Sequence, residues 1–123
     1  MAITASYCKR NNVSAVTLND ATASQTVDFG DKPDERIVLL VENANTVSDT
    51  TATVTISKGD FLGNASGDLV VTLAKGDTAA IGPLESVRFK NSASEVTVGV
   101  AVTNSGTVSG AVSSVKIGVV KLP

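Results

Sequence analysis

Any chemistry this chain performs would have to be done without histidine, because its 123 residues contain none. That removes the usual general base of serine and cysteine nucleophile systems and the commonest transition-metal ligand. The acidic side chains fall mostly in turn-rich stretches, with no strand-mounted carboxylate pair at catalytic spacing. The densest acidic run is Asp28-Phe29-Gly30-Asp31-Lys32-Pro33-Asp34-Glu35, and a hard cation such as Ca²⁺ wants several oxygens of this kind. The run lacks EF-hand spacing and carries Lys32 in its middle, so a solvated turn is the expectation. Asp28-Phe29-Gly30 spells a kinase metal-binding tripeptide with nothing else of a kinase around it. Cys8 beside Lys9 and Arg10 is a possible thiol nucleophile, but without a histidine partner it reads as a small side chain. Lys58-Gly59-Asp60 and Lys75-Gly76-Asp77 resemble adhesion tripeptides and are also good turn sequences, since glycine reaches positive φ at no steric cost. Asn12-Val13-Ser14 and Asn64-Ala65-Ser66 match the glycosylation sequon, which matters only in a secreted chain. No tryptophan, one tyrosine and three phenylalanines leave little for a sugar-stacking platform. The expectation is a protein with no catalytic residues, no metal and no cofactor, that is, not an enzyme.

Length and charge narrow the alternatives. A chain of this size makes one domain and buries roughly 65% of its unfolded surface, enough for a core without staples. Hydrophobic residues make up 42% but aromatic ones only 3%, so Val, Ile, Leu and Ala must build that core. The net charge of −2 comes with no lysine or arginine cluster of nucleic-acid-binding size. A mildly acidic surface also disfavours anionic membranes, and no run approaches the ~20 apolar residues of a helical span. A single cysteine excludes an internal disulfide. The first twelve residues show no apolar run leading to a cleavage site, which predicts synthesis in the cytosol.

From residue 13 onward the dominant period is two. Val16 and Leu18 suggest a first short strand, and residues 19–35 are turn-rich. Arg36 to Glu42 is the most apolar run: Ile37, Leu39 and Val41 share one face, Val38 and Leu40 the other. Such a strand reads as covered on both faces, the second by a loop or another subunit. Ala52, Val54 and Ile56 alternate with threonines, and residues 58–68 read as a loop. Leu69, Val71 and Leu73 resume the alternation. Gly82-Pro83 then breaks the chain before Val87 and Phe89, which are expected to face inward from a strand. Val96 to Val102 and Val115 to Val119 complete the pattern. Gly99 and Gly118 lie inside strands, where glycine marks a bulge or a close backbone approach. The fold expected is all-β: one antiparallel β-sandwich or barrel-like domain of about seven to eight short strands with little or no helix. Residues 1–12 read as an N-terminal arm and 13–123 as the β domain.

Three stretches are similar to small β-rich proteins of tailed bacteriophages, the head decoration or cement proteins. They are Asp34-Glu35-Arg36-Ile37-Val38-Leu39-Leu40-Val41-Glu42-Asn43, then Gly82-Pro83-Leu84-Glu85-Ser86-Val87-Arg88-Phe89-Lys90-Asn91, and the valine-rich endings Val96 to Val102 and Val115 to Leu122. The likeness spans roughly residues 34–122 and is one of strand order and turn chemistry. It implies a non-enzymatic virion subunit, made in the host cytoplasm and placed on the capsid surface. Its partner would be the major capsid protein, with no nucleic acid and no membrane involved. A homo-oligomer, a trimer by analogy, or many symmetric copies on a shell would follow. The candidate contact residues are Tyr7, Lys9 and Arg10 in the arm and Val38 and Leu40 on the doubly apolar strand. The alternatives are a tail or fibre component and an adhesion or carbohydrate-binding module.

Overall fold

Side chains on a strand point alternately to its two faces, and that period sorts this chain into an inside and an outside. The computed structural model describes residues 2–28, 36–46, 49–60, 67–104 and 111–123. Its strands are β1 (Ala2–Ile3), β2 (Ser6–Tyr7), β3 (Asn19–Asp20), β4 (Ser24–Asp28), β5 (Ile37–Asn43), β6 (Thr50–Ile56), β7 (Leu69–Ala74), β8 (Thr78–Ile81), β9 (Glu95–Asn104) and β10 (Val115–Lys121). One helical turn, α1 (Ser86–Phe89), and a 3-10 turn at Val112–Ser114 accompany them. One sheet runs β1-β4-β9-β6-β7; the other runs β2-β10-β5-β8, with β3 also paired to β10. The domain is therefore all-β, with two mixed sheets packed face to face.

The core between the sheets is almost wholly aliphatic. β5 contributes Ile37, Leu39 and Val41, and β10 contributes Val115, Ile117 and Val119. Facing them are Ala52, Val54 and Ile56 of β6, Val96, Val98, Val100 and Val102 of β9, and Val27 of β4. Burying each such side chain stabilises by about 1.5–3 kcal/mol before ordering costs. Short β-branched side chains suit closely spaced sheets and lose little χ1 freedom there. Pairing is antiparallel except at two edges, where β1 runs parallel to β4 and β2 parallel to β10. Residues 2–7 thus cross from one sheet to the other, with Ile3 buried in the core. Cys8 N–H then donates to the Lys121 carbonyl at 2.8 Å.

Three local expectations do not hold. Residues 16–18 form no strand; the pairing position beside β10 is taken by β3 instead. The alternation there serves a different purpose. Val16 and Leu18 lie over Gly118, where an added Cβ would stand 2.9 Å from Val16 Cγ1 and 2.8 Å from Leu18 Cδ2. Residues 86–89 make a helical turn rather than a strand, closed by the Phe89 N–H donating to the Glu85 carbonyl at 3.1 Å. The segment between β8 and β9 must pass from one sheet to the other. Leu84 and Phe89 are buried on that path. Finally, the stretch 19–35 holds a five-residue strand, β4, whose inward positions are Gln25 and Val27.

The packing at Gly118 yields a first prediction. Gly118→Ala puts a methyl group against Val16, Leu18 and the Thr17 carbonyl at 3.2 Å. Leu18 can swing away but Val16 is stiff, so the chain at 16–18 must lift. We expect a loss of about 1–2 kcal/mol, with faster amide exchange confined largely to residues 13–20. Unchanged melting and exchange would mean that this segment does not bear on β10.

Candidate interaction surfaces

Among the described residues no group of three histidine, cysteine or acidic side chains is placed to hold a metal. Of the acidic run 28–35, Asp28 ends β4; Phe29 to Glu35 lie outside the described residues, as do Asn64, Ala65 and Ser66 of the second sequon. Cys8 is half-buried at the end of β2. Lys75-Gly76-Asp77 is a turn, with Gly76 at φ +83° and the Asp77 N–H donating to the Ala74 carbonyl at 3.0 Å. Lys58-Gly59-Asp60 is not a turn of that kind: Gly59 is needed because the Lys90 carbonyl would be 2.1 Å from a Cβ there.

The five predicted contact residues separate into two places. Tyr7 stands opposite Lys121 and Ser6 opposite Val120, while β10 pairs Lys121 with Ile37 and Val120 with Val38. Paired residues share a face. Tyr7 therefore lies on the inward side, at the mouth between the two sheets. There the Lys121 ammonium sits 5.4 Å from the centre of its ring. An open pocket of about 310 Å³ lies at this mouth, lined by Ala2, Ile3, Thr4, Ala5, Tyr7, Asp28 and Lys121. Lys9 and Arg10 follow in an exposed turn. Val38 and Leu40 point to the opposite side, the outer face of β5, and are half-buried. Leu40 is in register with Gly118, so the segment bearing Val16 and Leu18 lies over that same outer face.

What the sequence did not single out is the apolar exposure of the β2–β3 connection. Four large hydrophobic side chains are exposed among the described residues: Tyr7 (59%), Val13 (93%), Leu18 (45%) and Val70 (58%). Three of the four fall within residues 7–18. That stretch also carries Lys9 and Arg10 and no acidic residue, in a chain whose net charge is −2. The available signal was Val13 standing alone in the polar run Asn11-Asn12-Val13-Ser14, with no alternation to pull it inward.

A second surface is the outer face of the first sheet. Its rows read Thr72-Thr53-Ala101, Ala74-Thr51-Thr103 and Val70-Thr55-Gly99 across β7, β6 and β9. No charged side chain enters these rows. They offer hydroxyls, methyls and flat backbone.

The fold and its two sheets define an all-β sandwich. No protein-family model, no curated protein and no solved structure matches the chain.

Proposed function

We propose that this protein is a non-enzymatic virion subunit of a tailed bacteriophage, a decoration protein that binds the outer surface of the major capsid shell. The observation that carries the reading is the segment 7–18, where exposed Tyr7, Val13 and Leu18 sit with exposed Lys9 and Arg10. An apolar-tipped, basic segment suits a partner surface that is apolar at its centre and acidic at its rim. The source of the partner is supplied by the resemblance of residues 34–122 to decoration proteins. A single contact of this size is weak; repetition over a symmetric shell supplies avidity.

The test is binding to capsids that lack the protein, read by cosedimentation and imaging. Saturable binding at symmetry-related positions is expected. Lys9→Glu/Arg10→Glu/Val13→Asp should reduce affinity about tenfold or more while leaving the melting temperature unchanged, and salt should weaken the wild-type contact. Full binding by the triple variant removes segment 7–18 from the interface. Binding to tails or glycans, and not to heads, replaces the decoration reading with the tail-fibre or adhesion reading.

A further inference from the structure

The edges of a sheet are where unpaired backbone groups can recruit another chain, and folds usually blunt them with charge, proline, bulges or brevity. In this sandwich the edge strands β1, β2 and β3 have two residues each, and β8 has four and runs directly into Gly82-Pro83. β7 differs. It is six residues long, Leu69-Val70-Val71-Thr72-Leu73-Ala74, with no charge, proline or glycine. Its register with β6 runs unbroken from Leu69 to Ala74, so no bulge twists it away. Among the described residues β6 is its one strand partner. Leu69 and Val71 belong to the inner face yet remain only partly covered, and Val70 is exposed on the outer face.

We propose that β7 is a homotypic docking edge, pairing antiparallel with β7 of a second copy about a two-fold axis normal to the sheet. Such an axis preserves the faces, so each paired residue must share the parity of its mate. Val71 then meets its own copy with Leu69 opposite Leu73, or one step along, Thr72 meets its own copy with Val70 opposite Ala74. In the first register the inner row is Leu and Val only, which completes the cover of Leu69 and Val71; in the second Val71 meets Leu73 and Leu69 falls opposite Lys75. The outer row is Val, Thr and Ala, so the uncharged threonine face continues across the joint. Charge selects the same arrangement. Asp68 precedes the strand and Lys75 follows it, both exposed, and antiparallel docking sets the acid of one copy beside the base of the other. A parallel arrangement would set like beside like. A strand from an unrelated protein would have to reproduce this pattern; β7 already carries it. The contact is small and belongs to the reversible class that gains from many copies. It does not depend on what the protein decorates.

Sedimentation across a micromolar-to-millimolar series should show a reversible monomer–dimer equilibrium. Val70→Lys/Thr72→Lys, on the exposed outer row, should weaken it about tenfold or more because like charges then flank the axis. Val70→Glu/Thr72→Glu should do the same, and mixing the lysine and glutamate variants should restore a dimer containing one of each. Val13→Lys, at a still more exposed site elsewhere, should leave dimerisation intact. A chain that stays monomeric throughout overturns the proposal. So does a dimer indifferent to both β7 variants, and so does the absence of rescue on mixing.

Discussion

Gly59→Ala should be among the most damaging single substitutions in this protein, with a loss of about 3–5 kcal/mol, the range of severe overpacking. A Cβ at position 59 would stand 2.1 Å from the Lys90 carbonyl oxygen, 2.6 Å from its carbon and 2.7 Å from the Phe89 carbonyl carbon. All three are backbone atoms, so no rotamer change relieves the overlap. Residues 59–60 and 88–90 are also laced together. Gly59 N–H donates to the Arg88 carbonyl at 2.8 Å, Asp60 N–H to the Lys90 carbonyl at 3.2 Å, and Ser92 N–H to the Asp60 carboxylate at 2.9 Å. Pushing the two segments apart breaks these bonds and draws buried Phe89 away from the core. Arg88 follows, since its guanidinium packs 4.7 Å from the Phe89 ring centre and its Nε donates to the Gly67 carbonyl at 3.1 Å. Gly76→Ala is the control. Gly76 has φ +83° and nothing within 4 Å of a Cβ, so only the backbone preference is lost, about 1 kcal/mol. Thermal denaturation of the two variants checks this. Equal melting shifts would show that the close approach at Lys90 carries no weight.

That contrast shows where sequence reasoning reaches and where it stops. Two Lys-Gly-Asp triplets look alike on paper, and both read as turns chosen for positive φ. Only Gly76 has that reason. Gly59 is set by a carbonyl thirty-one residues further on, and no local rule records so distant a neighbour. The long strands were legible because alternation over six or more residues has one cheap explanation: β5, β6, β9 and β10 each place their predicted residues inward. β4 was not, because one of its two inward positions is Gln25. Its side-chain carbonyl accepts the Thr22 N–H at 2.8 Å and its amide donates to the Val98 carbonyl. A satisfied polar residue inside a sheet hides the strand that carries it. At Val16 and Leu18, two alternate apolar residues are too few to separate a strand from a pair of side chains laid over a glycine.

The candidate contact surfaces were legible in part for the same reason. Tyr7, Lys9 and Arg10 could be suspected from type alone, and they are exposed. Val38 and Leu40 could be seen to lie on a second apolar face, but not that 16–18 would fold over the same side as Leu40. Val13 and Val70 differ from buried valines only in what surrounds them. Val70 takes the outward position between inward Leu69 and Val71, which the alternation does record; that β7 is last in its sheet is a property of topology rather than of local pattern.

Asn43→Ala should cost about 3 kcal/mol, a melting shift near 10 °C for a domain of this size. Asn43 is fully buried at the end of β5 and joins both sheets through its side chain. Its amide donates to the Leu73 carbonyl on β7 at 3.1 Å and to the Thr50 carbonyl on β6 at 3.4 Å. Its carbonyl accepts the Asn45 side-chain amide at 2.8 Å and the Asn45 N–H at 3.3 Å. Truncation strands the buried Asn45 amide and leaves a cavity at once, and each unsatisfied buried group costs about 1–3 kcal/mol. Asn43→Asp separates hydrogen bonding from volume. The carboxylate keeps the shape and the bonds from Asn45 but faces two carbonyls with no proton to give. Burial and those carbonyls favour its neutral form, so its folded pKa is raised above the unfolded value near ~3.9. The stability difference from wild type should therefore be small below that value and grow as pH rises through and above it. A proton on the acid replaces one lost donor; nothing replaces it at neutral pH. Parallel melting series of wild type, Asn43→Ala and Asn43→Asp from acid to neutral pH decide the point. A pH-independent gap between Asn43→Asp and wild type would mean that the two carbonyl contacts do not stabilise the joint between the sheets.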